Sequence, residues 1–291
     1  MPLIEVDPGA GFCFGVEKAI EQAESLLKRG EKVFSLGYLV HNSVEVERLK
    51  NAGLGVVKRE ELDGLKNAKL LFRAHGEPPS SYRMVKDYGI SLIDATCPIV
   101  IKLQKRIKKK YVEMDPAKEQ IVIFGKERHP ETIGLLGQTE NNAVLITDPD
   151  DLSAIQNEKK VFLYSQTTMD PDQFVKLETN LKRKFDLQKV GKVASHCTIC
   201  GQMKRRKPDL KKFISEKDLV LFISGKNSSN GKMLYQFCKG INSNTHWIEQ
   251  KEEIKHGLLE GKTQIGITGA TSTPSWQLEN VKEYLIRITM I

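Results

Sequence analysis

The residues most able to do chemistry in this sequence are cysteines, at positions 13, 97, 197, 200 and 238. Cys97 lies in Asp94-Ala95-Thr96-Cys97-Pro98. Ahead of it, residues 89–93 read as a short buried strand. Behind it, the spacing predicts a helix over 99–111, with Ile99, Leu103 and Ile107 on one face and Lys102, Lys105, Arg106 and Lys108 to Lys110 on the rest. Proline is favoured at the first helical position, so Cys97 falls at the N-cap. There the positive end of the helix favours the thiolate, the form that binds metal or attacks an electrophile. Cys13, in Gly11-Phe12-Cys13-Phe14-Gly15, also sits between a strand end and a helix start. Cys200, in Ser195-His196-Cys197-Thr198-Ile199-Cys200, precedes a basic helical stretch. Cys238, between Phe237 and Lys239 in a helical stretch, reads as a core residue.

Three thiolates from separate stretches suit a soft metal centre. Zinc usually takes ligand pairs at short spacing, and Cys197 with Cys200 offers one. Widely separated single cysteines suit an iron–sulfur cluster instead; such a cluster usually takes four, so three would leave one iron open. His41, His75 and His129 each occupy a loop that follows a predicted strand. With Lys226-Asn227-Ser228-Ser229-Asn230 and Thr271-Ser272-Thr273 they supply neutral or weakly cationic donors of the kind phosphate oxygens accept from. No Walker motif or dinucleotide-binding glycine fingerprint is present in the sequence.

These loops need a scaffold of alternating strands and helices. Helices are predicted over 16–28, 43–51, 80–88, 171–184 and 279–286. Strands are predicted over 1–6, 32–36, 70–73, 120–124, 143–146, 161–164, 190–194, 219–223 and 264–267. The alternation indicates an α/β protein with parallel sheets. At the strand ends a cysteine loop is followed by two polar loops, and this order occurs three times. Ligands of open α/β sheets bind at the carboxyl ends of strands. The expected fold is therefore three small α/β lobes in a pseudo-threefold arrangement around a central site. Expected boundaries are 1–95 (Cys13, His41, His75), 96–193 (Cys97, His129, Glu131, Thr167) and 194–291 (Cys200, Ser228, Asn230, Ser272).

Composition narrows the setting. The 291 residues are 40% hydrophobic and 28% charged, as in a soluble globular protein. No apolar run approaches the roughly 18 residues of a membrane span. The sequence enters a strand at once, without the pattern of a signal or transit peptide. The odd, widely spaced cysteines do not resemble a disulfide framework, so a reducing cytoplasm is expected. A net charge of +8 raises nucleic acid as a partner, with Lys204 to Lys207 as its contact. Against that, acidic and basic side chains are interspersed, and few aromatic residues lie near the basic runs to stack on bases.

The motifs together resemble one family. Gly11-Phe12-Cys13-Phe14-Gly15-Val16, Val40-His41-Asn42, Ala74-His75-Gly76, Asp94-Ala95-Thr96-Cys97-Pro98, His129-Pro130-Glu131, Gln166-Thr167-Thr168, Thr198-Ile199-Cys200, Asn227-Ser228-Ser229-Asn230 and Ser272-Thr273-Pro274 occur in the order of the 4-hydroxy-3-methylbut-2-enyl diphosphate reductase (LytB) family. The resemblance spans nearly the whole chain. It implies an oxidoreductase of the methylerythritol phosphate route to isoprenoids. That enzyme converts its allylic diphosphate, with two electrons and loss of water, to isopentenyl and dimethylallyl diphosphate. It further implies that Cys13, Cys97 and Cys200 ligate a 4Fe–4S cluster whose open iron binds the allylic oxygen. Glu131 corresponds to the proton donor, and Thr167 to the residue beside the leaving hydroxyl. His41, His75, His129, Ser228, Ser229, Asn230 and Ser272 correspond to positions around the diphosphate. Ferredoxin or flavodoxin, both acidic, is the implied electron donor, and residues 105–110 offer a basic docking face. The chain departs from the family after its third cysteine. The family shows an Ala-Thr pair and then Arg-Gln, whereas Gly201-Gln202-Met203-Lys204-Arg205-Arg206-Lys207 keeps only Arg206 in register; Cys197 is an additional thiol. The alternative class is a basic metal-binding protein that recognises nucleic acid.

Overall fold

A computed structural model of the chain describes residues 1–188, 192–226 and 228–290. Its first elements are β1 (Leu3–Val6), α1 (Phe14–Lys28), β2 (Val33–Leu36), α2 (Ser43–Asn51), β3 (Gly55–Val57), β4 (Lys69–Phe72), α3 (Pro79–Asp87) and β5 (Ser91–Asp94). Then follow α4 (Pro98–Glu113), β6 (Glu119–Phe124), α5 (Pro130–Gly137), β7 (Val144–Ile146), β8 (Lys160–Ser165), α6 (Pro171–Gln188) and β9 (Val193–Ser195). The last are α7 (Gly201–Ile214), β10 (Leu219–Ile223), α8 (Ser229–Ile241), β11 (Thr245–Ile248), β12 (Gln264–Gly269) and α9 (Ser275–Thr289).

Among the described residues the twelve strands form three four-stranded sheets, the α/β architecture expected of three lobes. One has the order β7-β6-β8-β9 and one the order β1-β12-β10-β11, each parallel throughout. β2 to β5 make up the remaining sheet, in which β4 and β5 run parallel. Central parallel strands are covered on both faces and so read as continuous apolar runs. Ile121 to Phe124 of β6 and all of β10 are accordingly buried. β5 differs from the buried strand expected there. It pairs with β4 at the sheet edge, its ends Ser91 and Asp94 are exposed, and only the preceding Ile90 is buried.

Chain order does not dictate sheet membership. β1 pairs with β12, with Leu3 opposite Gln264 and Val6 opposite Ile267, so the first strand joins the last sheet. β9 pairs with β8, near the far end of the second expected lobe; Val190, part of the strand expected there, lies outside the described residues. β3 and β11, short strands of three and four residues, were not expected. By compactness the described chain divides into a unit of residues 1–56 and 205–291 and a unit of residues 57–204. Among the described residues no helix is long and apolar enough to cross a membrane.

Candidate active site

The unit of residues 57–204 brings Glu131, Cys97, Cys200, His75 and His129 to its strand-end loops. α4 starts at Pro98 with Cys97 as N-cap, as the proline predicts. Asp94 shapes the approach: its carboxylate accepts from the Thr96 N–H at 3.0 Å and from the Tyr82 hydroxyl at 2.8 Å. The Cys97 N–H then donates to the Ala74 carbonyl at 3.0 Å, which ties this loop to that of His75. Glu77 braces the other side of the His75 loop, accepting from Arg73 at 3.0 Å and Arg59 at 3.3 Å. On α4 the apolar face is Val100, Leu103 and Ile107. Ile99, expected inside, is 49% exposed, because the buried face of the helix runs through Val100, one residue on, to Leu103 and Ile107.

His129 is the N-cap of α5 and its Nδ1 accepts the Glu131 N–H at 3.1 Å. A neutral imidazole that accepts at Nδ1 carries its proton on Nε2, so His129 is set as a donor through that atom. The His75 and His129 rings lie edge to face, 5.2 Å apart. Two residues on, Glu131 is only 1% exposed. Its carboxyl meets Thr167 twice, at 2.6 Å from the backbone N–H and 2.9 Å from the hydroxyl. Burial pushes the Glu131 carboxyl up to about 7, although both Thr167 bonds favour the anion and hold it lower than burial alone would. The Thr167 carbonyl in turn accepts the Cys200 N–H at 2.9 Å. Gln166, fully buried beside it, accepts from the Lys126 N–H and the Thr132 hydroxyl and so joins the β6 and β8 loops.

Cys200 immediately precedes α7. Its carbonyl accepts the Lys204 N–H at 3.1 Å and its sulfur accepts the Met203 N–H at 3.4 Å, which is N-cap geometry made with a thiol. Burial raises the Cys200 thiol, and the neighbouring charges of Glu131 and Cys97 add to it. Cys197 is exposed and lies in the loop three residues earlier, away from the helix start. Cys238 is fully buried in the core beneath β10, as expected, and its thiol is pushed up to about 12 by burial.

The unit of residues 1–56 and 205–291 collects mainly hydroxyl and amide groups. Cys13 is the N-cap of α1, and its N–H donates to the Thr271 carbonyl at 3.4 Å. Ser228 caps α8 by accepting the Gly231 N–H at 3.0 Å, and its hydroxyl is 3.3 Å from that of Ser272. Asn230 donates to the Thr271 hydroxyl at 2.9 Å, while its carbonyl oxygen is buried with no hydrogen-bond partner among the described residues. Asn227 and the side chain of Ser229 lie outside the described residues. His41 is exposed in the loop before α2. Its neighbour Asn42 caps that helix at Glu45 and donates to Gln277 at 2.9 Å. Gly225 permits a close approach here, since a Cβ on it would lie 2.8 Å from the His41 carbonyl oxygen. The structure thus groups Cys97, His75, His129, Glu131, Thr167 and Cys200 in one unit, and Cys13, His41, Ser228, Asn230 and Ser272 in the other.

The basic runs are less available than the sequence suggests. Arg206 is buried and pairs with Asp7 at 2.6 Å, so residues 204–207 are not a continuous cationic surface. On α4, Lys108, Lys109 and Lys110 pair with Glu140, Glu113 and Glu119, whereas Lys102 and Lys105 are exposed. The sequence offered no sign of Gln166 or Gln277 as braces, because each acts through a partner distant in the chain; Asp94 stood in the Cys97 motif, but its bond to Tyr82 lies across elements.

Fold and loops define a class: among the described residues, an α/β protein of three four-stranded sheets whose strand-end loops carry helix-capping thiols, imidazoles and buried carboxyls. Comparison with known proteins identifies the family. The model of the LytB protein family matches residues 4–286, and the chain belongs to that family. A 4-hydroxy-3-methylbut-2-enyl diphosphate reductase of Bacteroides fragilis is 47% identical over 283 residues, covering 97% of each chain. One from Chloroherpeton thalassium is 41% identical, covering 97% of this chain and 96% of its own. A solved structure of (E)-4-hydroxy-3-methyl-but-2-enyl diphosphate reductase, the terminal enzyme of the non-mevalonate pathway, superposes with a TM-score of 0.74 at 33% identity and covers 99% of this chain and all of its own. The reductase from Plasmodium falciparum superposes with a TM-score of 0.82 at 26% identity, covering 98% of this chain and 88% of its own. The nucleic-acid alternative has no support in these relatives.

Proposed function

We infer that this chain is an oxidoreductase that removes the allylic hydroxyl of 4-hydroxy-3-methylbut-2-enyl diphosphate as water, giving isopentenyl and dimethylallyl diphosphate in the terminal step of the non-mevalonate pathway. Within a chain of this family, the observation that carries the mechanism is the buried Glu131–Thr167 pair, whose Thr167 carbonyl holds the Cys200 N–H.

Cys13, Cys97 and Cys200 are the residues proposed to hold a 4Fe–4S cluster with one open iron. The donor set fits. Cys13 and Cys97 are helix N-caps, and Cys200 directly precedes a helix, where its sulfur already accepts a backbone N–H, a setting that suits a thiolate ligand. When bound, such a cluster supplies electrons singly and a Lewis-acidic iron. The protein's part is proton supply and anion binding. A carboxyl held near neutrality keeps a proton on Glu131 at working pH, and the Thr167 hydroxyl, 2.9 Å away, passes it to the departing hydroxyl. His41, His75, His129, Ser228, Ser229, Asn230 and Ser272 bind the diphosphate by hydrogen bonds, with His129 donating through Nε2.

Ferredoxin or flavodoxin is the proposed donor, docking on the exposed face of α4 around Lys102, Lys105 and Arg106. A reducing cytoplasm is the proposed setting, from the odd count and wide spacing of the cysteines. Anaerobic purification, iron and sulfide analysis, and a product assay with a reduced dye test the reading. A colourless, zinc-containing protein without turnover overturns it.

A further inference from the structure

We propose that Arg206 is a positioning residue, which holds the loop of Cys13 and the loop of Thr271 and Ser272 in fixed register at the ends of the adjacent strands β1 and β12. The inference rests on the cluster and diphosphate roles proposed above for those two loops.

Arg206 is 3% exposed, although its neighbours Lys204 and Arg205 are exposed. Its guanidinium spans both strand ends. Nη1 donates to Asp7 Oδ2 at 2.6 Å, and Nη2 donates to the Thr268 hydroxyl at 2.8 Å and the Gly269 carbonyl at 3.0 Å. The Thr268 hydroxyl closes the circuit on Asp7 Oδ2 at 2.6 Å. The second Asp7 oxygen accepts the Gly9 N–H at 2.9 Å, which starts the turn towards Cys13. Gly9 is seated directly on the guanidinium, since a Cβ there would come within 2.9 Å of Nη1.

Both loops hang from this circuit. From Gly269 the chain runs two residues to Thr271, whose carbonyl accepts the Cys13 N–H and whose hydroxyl accepts from Asn230; Ser272 follows, against Ser228. A shift at the end of β12 therefore moves the Cys13 backbone and the hydroxyl cluster together. Folding alone does not call for this arrangement. A buried ion pair is often replaced by apolar residues of similar volume without loss of stability, because desolvation offsets the attraction. A planar fork with fixed donor directions does what an apolar pair cannot, which is to set the angle and separation of two strand ends.

Two variants test the proposal: Arg206→Lys, which keeps the cation and loses the fork, and the double variant Asp7→Leu with Arg206→Met, which replaces the pair by apolar side chains. Each is measured for melting temperature, iron release to a chelator under anaerobic conditions, and affinity of the cluster-free protein for inorganic diphosphate. The expected result is parent-like melting, with iron released roughly 10-fold faster or more, as for partners that orient metal ligands from behind, and diphosphate bound about 10-fold more weakly. Folded variants with parent-like iron release and diphosphate affinity overturn it. If the apolar pair does not fold, Arg206→Lys decides alone. A parent protein that holds no iron sinks the cluster reading, and the diphosphate arm then still decides the role of Arg206.

Discussion

In the unit of residues 57–204 the candidate loops carry groups whose charge depends on their surroundings: Glu131, His75, His129 and the thiols of Cys97 and Cys200. In the unit of residues 1–56 and 205–291 they carry, beside Cys13 and His41, hydroxyls and amides that stay neutral at any ordinary pH. Burial acts differently on the two sets. It lifts Glu131 and Cys200 out of their usual ranges, whereas Ser228, Asn230 and Ser272 need only be aimed. Their aiming falls to a hydrogen-bonded frame that includes the buried pair of Asp7 and Arg206. On the proposed roles, proton supply would draw on desolvation and anion binding on pre-set geometry.

The largest expected effect tests the thiols common to both units. Cys13→Ala, Cys97→Ala and Cys200→Ala should each lose iron and activity, whereas Cys197→Ala and Cys238→Ala keep both. Iron per chain in the five anaerobically prepared variants is the measurement. A brown, active Cys200→Ala beside an empty Cys197→Ala would reverse the ligand assignment. Next is Glu131→Gln, which preserves shape and removes the acidic proton. Turnover should fall by about 100- to 10,000-fold with iron content unchanged. Near-normal turnover would end the contrast between a proton-supplying unit and a binding unit.

The same carboxyl predicts a pH signature in the cluster-free protein. Its folded value of about 7 lies above the usual 4.5, so the fold favours the protonated form. The stability it confers is complete below about pH 4.5 and is lost as pH rises through 7, by about 3 kcal/mol. Denaturant unfolding of the parent against Glu131→Gln between pH 4 and 8 isolates that slope; parallel curves would show that the carboxyl is not desolvated. The smallest effects belong to the loops proposed to bind the anion. Ser228→Ala and His41→Ala should each weaken diphosphate binding by about 1 to 3 kcal/mol, with cluster absorption unchanged. Calorimetry checks this, and parent-like affinity in both would remove these loops from the anion site.

How legible was all this in the sequence? Pro98 announced a helix with Cys97 at its cap, and the structure has that helix with that cap. The same periodicity placed Ile99 inside, and it lies outside; the buried face runs through Val100 instead. β1 was readable as a strand, but its partner, β12, lies at the other end of the chain. Of the candidate residues, the cysteines and histidines were visible by type and position, and Glu131 through the resemblance to the family. Their braces were not, since Asp94, Gln166 and Gln277 take their meaning from a bond across elements.

The sequence by itself determined the alternation of strands and helices, the loops that carry reactive groups and the family, because these depend on residue order and local spacing. Only the tertiary structure decided which of those groups are desolvated. Glu131 looked like a glutamate near a helix start and is a buried acid against Thr167. Arg206 looked like part of a basic run and is a buried fork between two strand ends. Cys197 and Cys200 are three residues apart, yet one faces solvent and the other caps a helix. Charge and reactivity follow from the dielectric and the partners around a group, and those are supplied by residues far away in the chain.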